Sequence, residues 1–117
     1  MQFDRFSVII LERNVEAPKL DEKTGRRIRD EHLARVAQLH ESGQVLAAGP
    51  SMDGRDEKLE ALVILSVESE EARKIFQEDP IVKAGIWRFK VFSWMVPKGA
   101  LSFALAHFPS STQEAGM

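Results

Sequence analysis

Leu59-Glu60-Ala61-Leu62-Val63-Ile64-Leu65-Ser66-Val67, followed closely by Ser69-Glu70-Glu71-Ala72, is the stretch on which the fold turns. The run is apolar and rich in β-branched residues, and it is short for a helix, so it reads as a buried strand. Ser69 is then expected to cap a helix whose first turn carries Glu70 and Glu71 at the positive end of its dipole. Ala72, Ile75 and Phe76 would face inward, and Asp79-Pro80 would stop the helix, because proline biases the residue before it away from helical dihedrals. After Gly85, residues 86–95 alternate aromatic and basic side chains (Trp87, Arg88, Phe89, Lys90) as a last strand. Upstream, Val45–Pro50 is a short strand ended by its proline, and Ser51 to Glu57, with Gly54, is a surface loop. Before that, Ile28, His32, Val36 and Leu39 recur at helical spacing across residues 24–42, with Gly43 as the stop. Residues 3–11 carry apolar side chains on both faces, as a central strand does.

The resulting order, β-α-β-β-α-β, predicts an α+β fold: a ferredoxin-like split βαβ arrangement with an antiparallel sheet and both helices on one face. Strands 1, 3 and 4 are apolar on both sides, so the open face is expected to pack on a second copy as a homodimer. Residues 1–96 make the domain. Residues 97–117 form a C-terminal extension that could cover an edge or cross to the partner, with 109–117 expected to be disordered.

At 117 residues and 44% hydrophobic, the chain suits one domain. A net charge of −2 leaves no basic excess for phosphates or anionic lipid, so neither nucleic acid nor membrane is an expected partner. The longest apolar run, Ala61 to Leu65, is far short of the roughly 20 residues that span a bilayer, and no secretion signal is read at the N-terminus. A cytoplasmic location is the expectation. Without cysteine there is no disulfide, thiolate nucleophile or thiolate-bound metal.

The motifs Arg29-x-x-His32-Leu33, Gly43-x-Val45-Leu46-x-Ala48-Gly49-Pro50, Glu71-Ala72 with Asp79-Pro80, Ala84-Gly85 and Ser93-Trp94, in this order, resemble the YCII-related family of dimeric α/β-barrel proteins over about residues 3–95. By that resemblance the matched histidine and the aspartate before proline are the family's proposed His-Asp pair, here His32 and Asp79. One branch of the family removes chloride from a hydroxylated aromatic ring, so the resemblance implies a small-molecule lyase or hydrolase of dehydrochlorinase type and no cofactor. The chain departs from the pattern at Glu12-Arg13 after strand 1, at the charged residues near Lys58, and at Ile81 after Asp79-Pro80.

His32 on an apolar stripe has two readings. As a neutral imidazole with one nitrogen held by a carboxylate, it is a general base; as a packed ring, it is core. Asp79 is the candidate holder under the first reading and a plain helix stop under the second. Arg29, one turn before His32, could bind an anionic substrate group or make a surface ion pair. Gly49, Pro50 and Ser51 could let a ligand approach strand 2, with the Ser51 hydroxyl as donor, or form an ordinary turn. A metal is not expected: His40 lies ~12 Å along the helix from His32, and His107 reads as incidental. Trp87, Phe89 and Trp94 could line a pocket but read first as core, and the Arg26-Arg27-x-Arg29 cluster, balanced by Asp30 and Glu31, reads as a solvated helix face. Neither GxGxxG nor GxxxxGK occurs. Three functions stay open on the residues: an enzyme with His32 as base, a non-catalytic small-molecule binding module, and a structural dimer.

Overall fold

The computed structural model describes residues 1–53 and 58–117, so the expected loop from Ser51 lies outside the described residues from Gly54 to Glu57. The elements are β1 (Phe3–Arg13), α1 (Glu22–Glu41), β2 (Val45–Pro50), β3 (Leu59–Leu65), α2 (Ser69–Gln77), α3 (Pro80–Lys83), β4 (Trp87–Pro97) and α4 (Thr112–Ala115). The four strands form one antiparallel sheet in the order β2-β3-β1-β4. Each of the two long helices therefore connects strands separated by a third, an arrangement consistent with the ferredoxin-like type.

Strand alternation divides the sheet cleanly. Ile9 and Leu11 on β1 stand opposite Val63 and Ala61 on β3 and Val91 and Phe89 on β4. This face packs on Val36 of α1 and Ala72, Ile75 and Phe76 of α2 as one buried cluster. Each large side chain buried there contributes about 1.5–3 kcal/mol. Val8 and Ile10 point the other way, beside Ile64, Leu62 and Phe92, and Leu62, Phe92 and Trp94 are exposed there.

Two local expectations need correction. Ser69 does not cap α2. Glu68 occupies the N-cap position without a side-chain cap, because the Ser69 hydroxyl turns instead to Ser93 on β4 at 2.5 Å and Ser7 on β1 at 3.4 Å. Asp79-Pro80 ends α2 but also begins α3: Asp79 Oδ1 accepts from the Ile81 amide at 2.9 Å, and Pro80 takes the first helical turn, where a missing N–H costs nothing.

The C-terminal extension winds around the domain. Gly99 N–H donates to Asp4, and Phe103 meets Phe6 edge-on at 5.5 Å on the open face. The chain then reaches the end of α1, where Phe108 stacks on His40 at 3.9 Å. A carbonyl only accepts, so His40 Nδ1 donates to Val45 O at 2.8 Å, which leaves Nε2 to accept from the Ala106 amide at 2.9 Å. The last residues, expected to lack structure, carry α4, which docks through Thr112: its amide and hydroxyl both donate to Asp30 Oδ1, at 2.7 and 2.8 Å.

These two bonds, the amide first, hold the Asp30 carboxyl below its ordinary value of 3.8. A carboxyl whose proton affinity drops on docking contributes fully above its ordinary value, and the contribution is lost as pH falls through the lowered one. The α4 contact should therefore persist at pH 5 and weaken only in acid below 3.8. Amide exchange at Thr112 measures it; Asp30→Ala should give fast exchange there at all pH values, with the sheet amides unchanged. Equal protection of Thr112 in that variant would refute the assignment.

Candidate active site

His32 is placed by helical spacing: it shares a stripe with Ile28 and Val36, and all three are buried. Asp79 is placed by its proline, which holds its backbone extended (φ −65°, ψ 132°) and turns its side chain onto the next helical turn. One carboxylate oxygen is spent on the Ile81 amide. The other, Oδ2, lies 2.8 Å from His32 Nδ1, in a contact spanning 47 positions of sequence. Asp79 is 0% exposed and His32 8%. An ionised carboxylate can only accept, so Nδ1 carries the proton of the pair. Trp87 meets the imidazole edge-on at 5.4 Å and 79°, fixing the plane of the ring. No hydrogen bond to His32 Nε2 is made among the described residues.

His32 lines a cleft of about 590 Å³ between α1, the ends of β1–β3 and the start of β4. That volume is in the range of small-molecule sites. Its floor is apolar (Leu11, Leu33, Val36, Val63, Ile81, Ile86), and polar groups come from Arg13, Asn14, Arg29 and Glu60. The β1–β3 pairing slips at Leu11/Glu12, and this bulge lies where β1 enters the cleft. Beyond it, Glu12 pairs with Lys90 at 3.4 Å.

Of the residues expected at a site, the structure brings His32, Arg29, Gly49 and Pro50 to this cleft, with Asp79 behind His32. Arg29 is exposed there. At Gly49, apart from its chain neighbours, no atom of the described residues lies within 4 Å of where a Cβ would stand, so packing among them does not demand the glycine. Ser51 is not brought to the cleft: its hydroxyl turns back on its own loop, donating to Asp53 Oδ2 at 3.3 Å and accepting from the Asp53 amide.

Trp87, expected as core with a pocket wall as the alternative, packs against the core and also lines the cleft beside His32. Sequence reasoning missed several other groups at the cleft. His107, Phe108, Pro109 and Met117 of the extension also line it, and His107 pairs with Glu114 at 2.9 Å. Arg35 sits behind the pair, its Nη1 3.9 Å from Asp79 Oδ2. Helical spacing alone could have flagged Arg35, three residues after His32 on one face; no local signal foretells the tail. Among the described residues no three His, Asp or Glu side chains converge as a metal site, and no helix is long and apolar enough to cross a membrane.

Fold and cleft together define a small α+β domain with a buried histidine-carboxylate pair at a ligand-sized opening. The chain belongs to the YCII-related family, whose domain model matches residues 7–95. No curated protein matches it. Among solved structures, it is similar to the 5-chloro-2-hydroxyhydroquinone dehydrochlorinase of Burkholderia phenoliruptrix AC1100 in complex with 2,5-dihydroxybenzoquinone. The two share 20% identity and a TM-score of 0.54, over 80% of this chain and 96% of that one. At that identity the likeness bears on the fold.

Proposed function

We propose that this protein is a homodimeric enzyme acting on a small organic molecule, with His32 as the proton-transfer base and Asp79 as the residue that orients it. The observation that carries the reading is the 2.8 Å bond between His32 Nδ1 and a fully buried carboxylate, in a ring that also lines the cleft. Nδ1–H held by Asp79 leaves the Nε2 lone pair as the basic site, and the carboxylate stabilises the imidazolium formed when that lone pair takes a proton. The substrate class we favour is a hydroxylated, halogenated aromatic ring, supported by the family and by the small-molecule complex of the similar dehydrochlorinase. In such an elimination the ring reacts as its keto tautomer, in which the halogen-bearing carbon is saturated: a substrate proton moves to Nε2, its bonding pair forms the new double bond of the quinone, and the halide leaves with the carbon-halogen pair. Trp87 and the apolar floor suit a ring, and Arg29 suits an anionic oxygen on it. The experiment is a screen of chlorinated hydroxyhydroquinones with chloride release as readout. Release faster than the uncatalysed reaction supports the reading; a panel bound without turnover points to the binding module instead.

The homodimer part of the reading is supported by the open sheet face. Leu62, Phe92 and Trp94, each at least 41% exposed, are large apolar side chains that a second copy would remove from water. Light scattering is expected to give twice the chain mass for the wild type and the single-chain mass for Phe92→Glu. A wild type at single-chain mass rejects the dimer without touching the assignment of His32.

A further inference from the structure

A buried carboxylate needs a counter-charge, since an uncompensated ion in the interior costs several kcal/mol. Asp79 is fully buried, and among the described residues it has two cationic or potentially cationic neighbours within 4.0 Å: His32 at 2.8 Å and Arg35 Nη1 at 3.9 Å. Which of them carries the charge decides what His32 can do. A doubly protonated ring has no lone pair to offer at Nε2, whereas a guanidinium is always charged and has no other chemistry to perform.

Arg35 is arranged for the charge and not for the geometry. Its Nη1 is buried and makes no hydrogen bond among the described residues, while 3.9 Å is too long for a direct one to Asp79. Both oxygens of Asp79 therefore stay committed, Oδ1 to the Ile81 amide and Oδ2 to the imidazole. The guanidinium nevertheless stands at a distance where an opposite charge in a partly buried setting counts. We propose that Arg35 is a positioning residue that acts through Asp79, neutralising the buried carboxylate so that His32 keeps its neutral, Nδ1-protonated form with Nε2 available as base. The proposal rests on reading His32 as the base. Among the described residues, the other side chains with a charged or titratable group that line the cleft in front of the ring are Arg13 on β1, Arg29 on α1, Glu60 on β3 and His107 in the extension; all are unchanged in the variants below.

The test is ¹⁵N NMR of the histidine ring in the folded, full-length protein. At pH 7.5 the wild type should show His32 with one protonated and one bare nitrogen. Arg35→Gln should increase the share of the ring that is doubly protonated at that pH, because the buried carboxylate then has only the imidazole to balance it. Arg35→Lys, which keeps the charge, should return the ring to wild-type behaviour. Arg27→Gln, which removes an exposed charge paired with Glu31, should leave it unchanged. Should the glutamine variant not fold, Arg35→Met removes the charge while keeping an apolar stem. A wild-type ring doubly protonated at pH 7.5 overturns the proposal without any variant, and so does a neutral Arg35 variant that titrates like the wild type. Because the readout needs no substrate, a correct ring response in a protein that turns nothing over would reject the enzyme reading and leave the role of Arg35 standing.

Discussion

His32→Asn is expected to lower turnover about 10²- to 10⁴-fold, the usual worth of a positioned general base, on whichever panel compound the wild type converts. Asparagine is the informative replacement because its amide nitrogen falls near the position of Nδ1. It can still donate to Asp79 Oδ2, so the partner of the buried carboxylate is kept while the base is removed. Stability should change by only about 1 kcal/mol, the net worth of a hydrogen bond made slightly worse. Steady-state kinetics and a thermal melt on the same sample separate the two effects. Turnover within threefold of wild type in a folded Asn variant would remove His32 from the chemistry.

Asp79→Ala should be the most destabilising single change at the site. It strips the Ile81 amide of its cap, leaves the Nδ1 hydrogen of a buried imidazole without that acceptor, and removes the carboxylate 3.9 Å from the partly buried Arg35. Cap loss costs about 1 kcal/mol and an orphaned buried donor about 1–3. Because the Arg35 side chain is 26% exposed, its contribution is discounted for solvent screening, and the expected total is about 2–4 kcal/mol. For a domain of this size that corresponds to a fall in Tm on the order of 10 °C. Asp79→Asn should behave differently. Its oxygen still caps Ile81, but its amide donates toward His32, so Nδ1 must accept and the proton moves to Nε2, the nitrogen assigned as the base. Stability is largely kept and base catalysis is lost. An Asn variant as active as wild type would show that orientation of the ring by the carboxylate is unimportant.

How much of this was legible in the chain depends on how local each signal was. The strand at Leu59 and the helix carrying His32 were readable because alternation and the 3.6-residue stripe are properties of neighbouring residues. Asp79-Pro80 was only half readable. Proline's effect on its predecessor announces the end of α2, and the same dipeptide is also a start signal, which the structure uses to build α3. Ser69 misled because its local environment is that of a cap, yet the hydroxyl finds Ser93, 24 residues away, once α2 lies across the sheet. Ser51 misled in the opposite direction, with its hydroxyl absorbed two residues on by Asp53.

The sequence by itself determined the element order, the inward stripe of α1 and the presence of an ionisable ring on that stripe. These are set by short-range sterics and by the free energy of keeping apolar side chains out of water. Only the tertiary structure decided what the ring touches. The bond to Asp79, the charge of Arg35 behind it and the passage of His107 and Phe108 into the cleft all depend on how α1, α3 and the extension settle against one another. Such contacts follow from the packing of whole elements, and hydrogen bonds across 47 or 66 positions leave no periodic trace in the chain that forms them.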